Sequence, residues 1–224
     1  MTLNIAVLAS GNGSNLQAIL DGCAQGVLDV DVRLVLCNRA DAYALKRAET
    51  AGVAACCLPH ADFPDRESFD AAVVEAIRSA GADTVVLAGY MRLLSSVFLS
   101  AFPGRVINVH PAVLPAFAGA KGAADAVAYG VKLSGCTVHF VDEVMDHGPV
   151  IIQAAVPVRE DDDVDALQQR IHALEHRIYP QALQWLAEGR LSLRDRVVSL
   201  APGSRPRAPH DGDWLVWPPL EQGF

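Results

Sequence analysis

The chain has 224 residues, 51% hydrophobic and 20% charged, enough apolar material for a substantial core in one globular domain or one and a half, and wholesale disorder is excluded. A net charge of -8 argues against nonspecific nucleic-acid binding, which needs clustered lysine and arginine. It leaves room for a small anion, because backbone N–H groups hold phosphate without net positive charge. No apolar run reaches the roughly 18 residues of a membrane span, and neither a basic leader nor a small-residue cleavage site is recognisable, so no signal peptide is expected. The cysteines, Cys23, Cys37, Cys56, Cys57 and Cys136, are odd in number and form no C-x-x-C pair. Ordinary buried thiols in a reducing cytosol are expected, with neither a disulfide framework nor a structural zinc.

In chain order, the short apolar run 4–9, stopped by Ser10-Gly11, predicts a buried strand. Leu16, Ile19, Leu20 and Cys23 recur at helical spacing and predict a helix over 14–24. A strand over 32–37, a helix over 42–51 closed by Gly52, and a strand over 53–58 follow. Phe69, Val73, Val74 and Ile77 share one face of a helix over 66–80, which Gly81 ends. Strands over 84–88 and 105–109 complete the first half. This alternation predicts an α/β fold: a Rossmann-like, mostly parallel sheet with helices on both faces. Right-handed crossovers place the strand C-termini and their loops along one edge, where such sheets bind ligands.

The second half changes style. Two strands, 135–142 and 149–158, flank a turn around Asp146-His147-Gly148-Pro149 and need not be parallel to the others. Asp161-Asp162-Asp163 suits a helix N-terminus, where negative charge complements the dipole. A long helix over 164–188 follows, with Pro180 as the candidate break. From residue 201 onward the chain is rich in proline and glycine. An extended surface tail is expected over 201–224, with Trp214 and Trp217 as candidate anchors.

Three segments carry chemistry. In Ser10-Gly11-Asn12-Gly13-Ser14-Asn15, two glycines allow a sharp turn and close backbone approach, and the helix that follows offers free N–H groups to a phosphate. The third glycine of a dinucleotide fingerprint is replaced by Leu16, and a P-loop lysine is missing. The competing reading is a plain turn capped by Ser14 or Asn15. In Asn108-Val109-His110-Pro111, strand alternation puts Asn108 and His110 on one side, about 7 Å apart along the backbone. An amide donor and an imidazole suit a developing oxyanion; the competing reading is a turn with an incidental histidine. The third segment, 142–149, carries Asp146 on a Gly-Pro turn. Beside His110 this carboxylate would favour the cationic, proton-donating ring; alone it reads equally as an acidic surface turn. His147 is expected to be an exposed neighbour and His139 a structural residue of its strand. The set His110, His139, His147 and Asp146 lacks a recognised ligand spacing, so no metal is expected.

Ser10 to Leu16, Ala88-Gly89-Tyr90-Met91-Arg92-Leu93-Leu94, Asn108-Val109-His110-Pro111-Ala112-Val113-Leu114-Pro115, Asp146-His147-Gly148-Pro149 and Glu175-His176-Arg177-Ile178-Tyr179-Pro180 resemble, in succession, the motifs of the phosphoribosylglycinamide formyltransferase family. The resemblance runs from about residue 4 to about residue 195. It implies the formyltransferase fold as a single catalytic domain over 1–200, with 10-formyltetrahydrofolate as co-substrate and no metal. The implied reaction passes the formyl group to the amine of glycinamide ribonucleotide, in de novo purine (IMP) biosynthesis. Asn108, His110 and Asp146 would be catalytic, and Gly13, Ser14, Asn15, His172 and Glu175 would hold the ribonucleotide. Arg66, Met91, Arg92, Leu93, Leu94, Asn108, Asp142, Glu143, Val144, Met145 and Asp146 would contact the folate. The partners implied are small molecules, with no nucleic acid and no membrane, for a cytoplasmic monomer or homodimer. One departure stands out: after Leu114-Pro115-Ala116-Phe117-Ala118-Gly119, the family's usual histidine is missing from 119–124. Rival readings are a formyltetrahydrofolate hydrolase, a methionyl-tRNA formyltransferase, a nicotinamide oxidoreductase and an inactive nucleotide sensor. The first two usually carry further domains, the third needs the full glycine fingerprint, and the sensor has no need of the trio.

Overall fold

A computed structural model describes residues 2–210 and 212–224 of the chain. They group into two units, one running to Asn108 and taking in Phe140–Glu143, the other formed by Val109–His139 and Val144–Phe224. Among the described residues, the first unit is built on β1 (Leu3–Ala9), β2 (Val30–Cys37), β3 (Ala55–Cys57), β4 (Thr84–Leu87) and the first part of β5 (Val106–His110). These strands run parallel in the order β3-β2-β1-β4-β5. Val7 of β1 is paired with Val35 on one side and Val86 on the other. Strands covered on both faces read as continuous apolar runs, and β4 is buried at every position.

Helices α1 (Ser14–Ala24), α2 (Tyr43–Thr50), α3 (Arg66–Ser79) and α4 (Ser96–Ala101) connect the strands. Asp65 caps α3 by accepting a hydrogen bond from Ser68 N at 2.7 Å. From α3, Phe69, Val73, Val74 and Ile77 pack with Leu8, Leu36, Val85, Leu87 and Phe98. After β1 the chain builds outward through β2 and β3, then returns to lay β4 on the other side of β1. Strand order therefore reverses between β1 and β4, and the loops after these strands share the ligand-binding edge. α4 is absent from the sequence-based expectation; it has six residues, with Phe98 alone fully buried.

The second unit holds α5 (Gly122–Tyr129), β6 (Leu133–Phe140, all but its last residue), β7 (Val150–Pro157), α6 (Val164–Ala187), β8 (Leu191–Arg194), β9 (Val197–Leu200) and β10 (Leu215–Trp217). β6 and β7 pair antiparallel, as do β7 with β10 and β8 with β9. Gly135 lies opposite Ala155, and a Cβ there would run into the Ala154 carbonyl. Gly135→Ala is therefore expected to destabilise the protein by about 1–3 kcal/mol, read as a lower urea midpoint at unchanged m-value.

Pro180 does not interrupt α6, which continues through it for 24 residues in all. The cap is Asp163, accepting from Ala166 N at 2.8 Å, and Arg170 binds Asp162 beside it. The tail differs from the extended surface segment expected. β10 joins the edge of β7, and the buried anchors are Val216, Leu220 and Glu221. Trp217 is 68% exposed, while Trp214 lies under the Arg177 guanidinium at 5.0 Å. Arg190 forks onto Glu221 at 2.7 and 3.1 Å, and Gln181 accepts from Glu221 N and donates to Pro219 O. Among the described residues, no helix is long and apolar enough to cross a membrane.

Candidate active site

The turn after β1 takes its shape from Gly13, which caps α1 with φ 75°. That left-handed conformation favours glycine, and a Cβ there would sit 2.8 Å from the Ala44 Cβ. Glycine has no side chain to cap the first turn of α1, and no side-chain cap hydrogen bond is made there. The competing reading of a turn capped by Ser14 or Asn15 is thereby corrected: both residues are already helical, and Asn15 is buried.

The turn after β4 is tied to the one after β1 through Ser10. Its backbone N–H donates to Gly89 O at 3.0 Å. Its hydroxyl accepts from Met91 N at 2.9 Å and donates to Asn38 Oδ1 at 2.6 Å. Farther along, Ser95 N donates to Asp70 Oδ2 at 2.6 Å, and Asp70 is 1% exposed. A charge-assisted bond of this length fixes the loop firmly. Between these two anchors Met91 and Leu93 stay exposed, and the Arg92 guanidinium lies 5.1 Å from the Phe69 ring. Arg66 opens α3 and is exposed, Asp142 is half-buried and Glu143 exposed. Nothing local in the chain marks Ser10, Asp70 or Asn38 as supports, because their partners lie 25 to 81 residues away.

In the second unit His110 ends its strand at 4% exposure. Its Nε2 lies 2.9 Å from Phe117 O and its Nδ1 3.4 Å from Asp146 Oδ2. A carbonyl only accepts, so Nε2 is placed to donate to Phe117 O, while Nδ1 faces a carboxylate. Asp146 Oδ2 also accepts from Gly119 N at 2.8 Å. Asp146 and Phe117, the two residues that reach His110, have φ 53° and 50°. Non-glycine residues in that region carry strain, which tends to sit at functional positions. The segment after His110 is pinned by Thr137, whose hydroxyl donates to Ala112 O at 2.7 Å and accepts from Leu114 N at 3.0 Å. Asn108, two residues before His110 in sequence, is half-buried.

A family model for formyl transferases matches residues 3–183. The chain belongs to the formyl transferase family. It is 43% identical over 198 residues to the phosphoribosylglycinamide formyltransferase of Escherichia coli K12, covering 88% of this chain and 93% of that one. Its identity to the enzyme of that name in Bacillus subtilis 168 is 39% over 181 residues, covering 81% and 93%. Among solved structures, glycinamide ribonucleotide transformylase 1 of Symbiobacterium toebii superposes with TM-score 0.89 at 51% identity, covering 90% of this chain and 95% of that one. The mostly parallel α/β sheet is thus the fold of its relatives.

Other candidates in this formyl transferase divide by position. His139 lies inside β6, buried as expected of a structural residue, yet its Nε2 is 4.0 Å from Asp146 Oδ1. His147 is exposed, and Arg196 donates to its carbonyl. On α6, His172 is partly exposed and stacks on His176, whereas Glu175 is 3% exposed. Val144 and Met145 expose their apolar side chains. Among the described residues, no group of three or more His, Cys, Asp or Glu is arranged to hold a metal ion. The cysteines are free thiols. Burial pushes Cys37 up to about 12 and Cys23 to about 11, the latter with help from Asp31, so neither is a ready nucleophile.

Proposed function

We infer that this chain transfers the formyl group of 10-formyltetrahydrofolate to the amine of N1-(5-phospho-D-ribosyl)glycinamide, a step of de novo purine biosynthesis. The observation that carries the reading is the buried His110, held between the Phe117 carbonyl and the Asp146 carboxylate two residues after Asn108. Family membership and relatives matched along nine-tenths of their length support the substrate pair.

The amine attacks the formyl carbon, and the carbonyl oxygen becomes an oxyanion. Asn108 donates from its amide, and His110 donates the Nε2 proton that Phe117 O otherwise accepts. Asp146 holds the ring in its charged form and helps a proton pass from the attacking nitrogen to the departing folate nitrogen, through a water. The products are the N-formyl ribonucleotide and tetrahydrofolate, with no covalent enzyme intermediate. Holding the two substrates in line supplies much of the remaining acceleration. Gly13, Ser14 and Asn15 take the ribonucleotide phosphate, and His172 and Glu175 serve the rest of that substrate. The exposed apolar side chains of Met91 and Leu93 suit a flat pterin ring, with Arg66, Arg92, Leu94, Asp142, Glu143, Val144 and Met145 as further folate contacts. The assembly proposed is a cytoplasmic monomer or homodimer.

The test follows folate absorbance with 10-formyltetrahydrofolate, in the presence and absence of glycinamide ribonucleotide. Turnover only with the amine is the expected result. Turnover without it would make the protein a hydrolase, and none in either case would leave a binding module.

A further inference from the structure

We propose that Arg47 is a positioning residue for the ribonucleotide phosphate, setting the direction in which the Gly13 backbone N–H points, beside the Asn12 N–H that the α2 backbone orients. The inference rests on the reading of Gly13 to Asn15 as the phosphate loop.

Arg47 lies on α2, a different helix from the one the loop opens. Its guanidinium makes three hydrogen bonds to the loop and to α1. Nε donates to Asn12 O at 2.8 Å, Nη2 to Asn12 Oδ1 at 2.9 Å, and Nη1 to Gln17 Oε1 at 3.0 Å. One turn earlier on α2, Ala44 N donates to Gly11 O at 3.1 Å. Two successive loop carbonyls, Gly11 and Asn12, are therefore drawn toward α2. In a planar trans peptide the C=O and the following N–H point in opposite directions. Drawing the Gly11 carbonyl toward α2 turns the Asn12 N–H away from it, and drawing the Asn12 carbonyl does the same for the Gly13 N–H. Successive N–H groups turned to one side form an anion-binding nest, continued by the uncapped first turn of α1.

The other contacts lock this arrangement. Ala44 occupies the space a Gly13 side chain would need. Gln17, held by Arg47, also donates to Asp21 Oδ1 at 2.8 Å, and its own N–H closes the first helical bond onto Gly13 O at 3.0 Å. The guanidinium lies 4.9 Å from the Tyr43 ring centroid, which orients its plane. A lysine would keep the charge but could not reach three acceptors in one plane. Arg47 is only partly buried, and such bonds contribute modestly to net stability. Their main effect falls on a ligand that needs several N–H groups aimed together, because pre-organisation lowers the cost of binding.

Arg47→Leu is expected to raise the KM for glycinamide ribonucleotide about 10-fold, a typical consequence of losing a pre-organised contact. The kcat and the folate KM should stay within about twofold. Inorganic phosphate, as a competitive inhibitor against the ribonucleotide, should weaken by the same factor. A purely structural role would lower the thermal midpoint without this split. Arg47→Lys should remain impaired; full recovery with lysine would overturn the fork argument. Should Arg47→Leu fail to fold, Tyr43→Ala gives a smaller ribonucleotide-specific shift, and an unchanged KM there overturns the proposal. Asn15→Leu serves as the reference, because it is expected to weaken ribonucleotide binding directly. If Asn15→Leu raises the ribonucleotide KM and Arg47→Leu does not, the role of Arg47 fails alone. If neither does, the phosphate loop fails with it.

Discussion

Replacing Asp146 by asparagine is expected to lower kcat by about 10²- to 10⁴-fold, the range for loss of a positioned acid–base group. The substitution suits this position because asparagine, like aspartate, tolerates the left-handed backbone found there at φ 53°. The amide oxygen can still accept from Gly119 N, a bond of 2.8 Å in the native protein, so the loop keeps its anchor. What is lost is the charge opposite His110 Nδ1, which lies 3.4 Å from the same Oδ2 that Gly119 N reaches. With that charge gone, the ring is a weaker hydrogen-bond donor to the oxyanion. Folding stability and the ribonucleotide KM should change little, so the loss should appear in kcat and kcat/KM together. Turnover within about threefold of the parent would remove Asp146 from the mechanism, since a positioned acid–base group is worth far more.

The parts of the fold that could be read in advance are those whose burial writes a period into the sequence. α1 occupies the residues its apolar spacing predicts, and β1, β4 and α3 match within one residue at each end. All four are long enough, or buried enough on both faces, to leave an unambiguous pattern. α5 begins on a glycine and buries Ala123 and Ala126, so its apolar face scarcely differs from its other side. β10 has three residues, two of them exposed, inside a proline-rich stretch; its place beside β7 depends on antiparallel pairing that composition does not reveal. The site divides in the same way. Asn108, His110 and Asp146 could be proposed from the sequence as side chains suited to one reaction, and Asp146 lies beside His110. Phe117 and Gly119 act through a carbonyl and an N–H, which every non-proline residue carries, so residue identity held no clue to them. Arg47 reaches Asn12 across 35 residues, and nothing local in either segment announces the other.

For His110→Ala the expected loss of turnover is about 10²- to 10³-fold, the usual effect of deleting one oxyanion donor. The deletion also leaves the Phe117 carbonyl and the Asp146 carboxylate without the ring between them, in a place where the native imidazole is 4% exposed. An unpaired buried group costs about 1–3 kcal/mol, so the variant should be less stable as well as slower, and the two effects need separate measurements. Single-turnover rates on protein shown to be folded isolate the chemical step from the stability loss. The double variant His110→Ala with Asp146→Asn then decides how the two groups cooperate. Asp146 is argued both to hold the charge of the ring it faces and to pass a proton through a water; with the ring removed only the second role is left to lose, so the double variant should fall below His110→Ala by clearly less than the full Asp146→Asn loss. Multiplication of the two losses would mean that Asp146 handles the proton independently of His110, and the charge-holding half of its role would have to be abandoned.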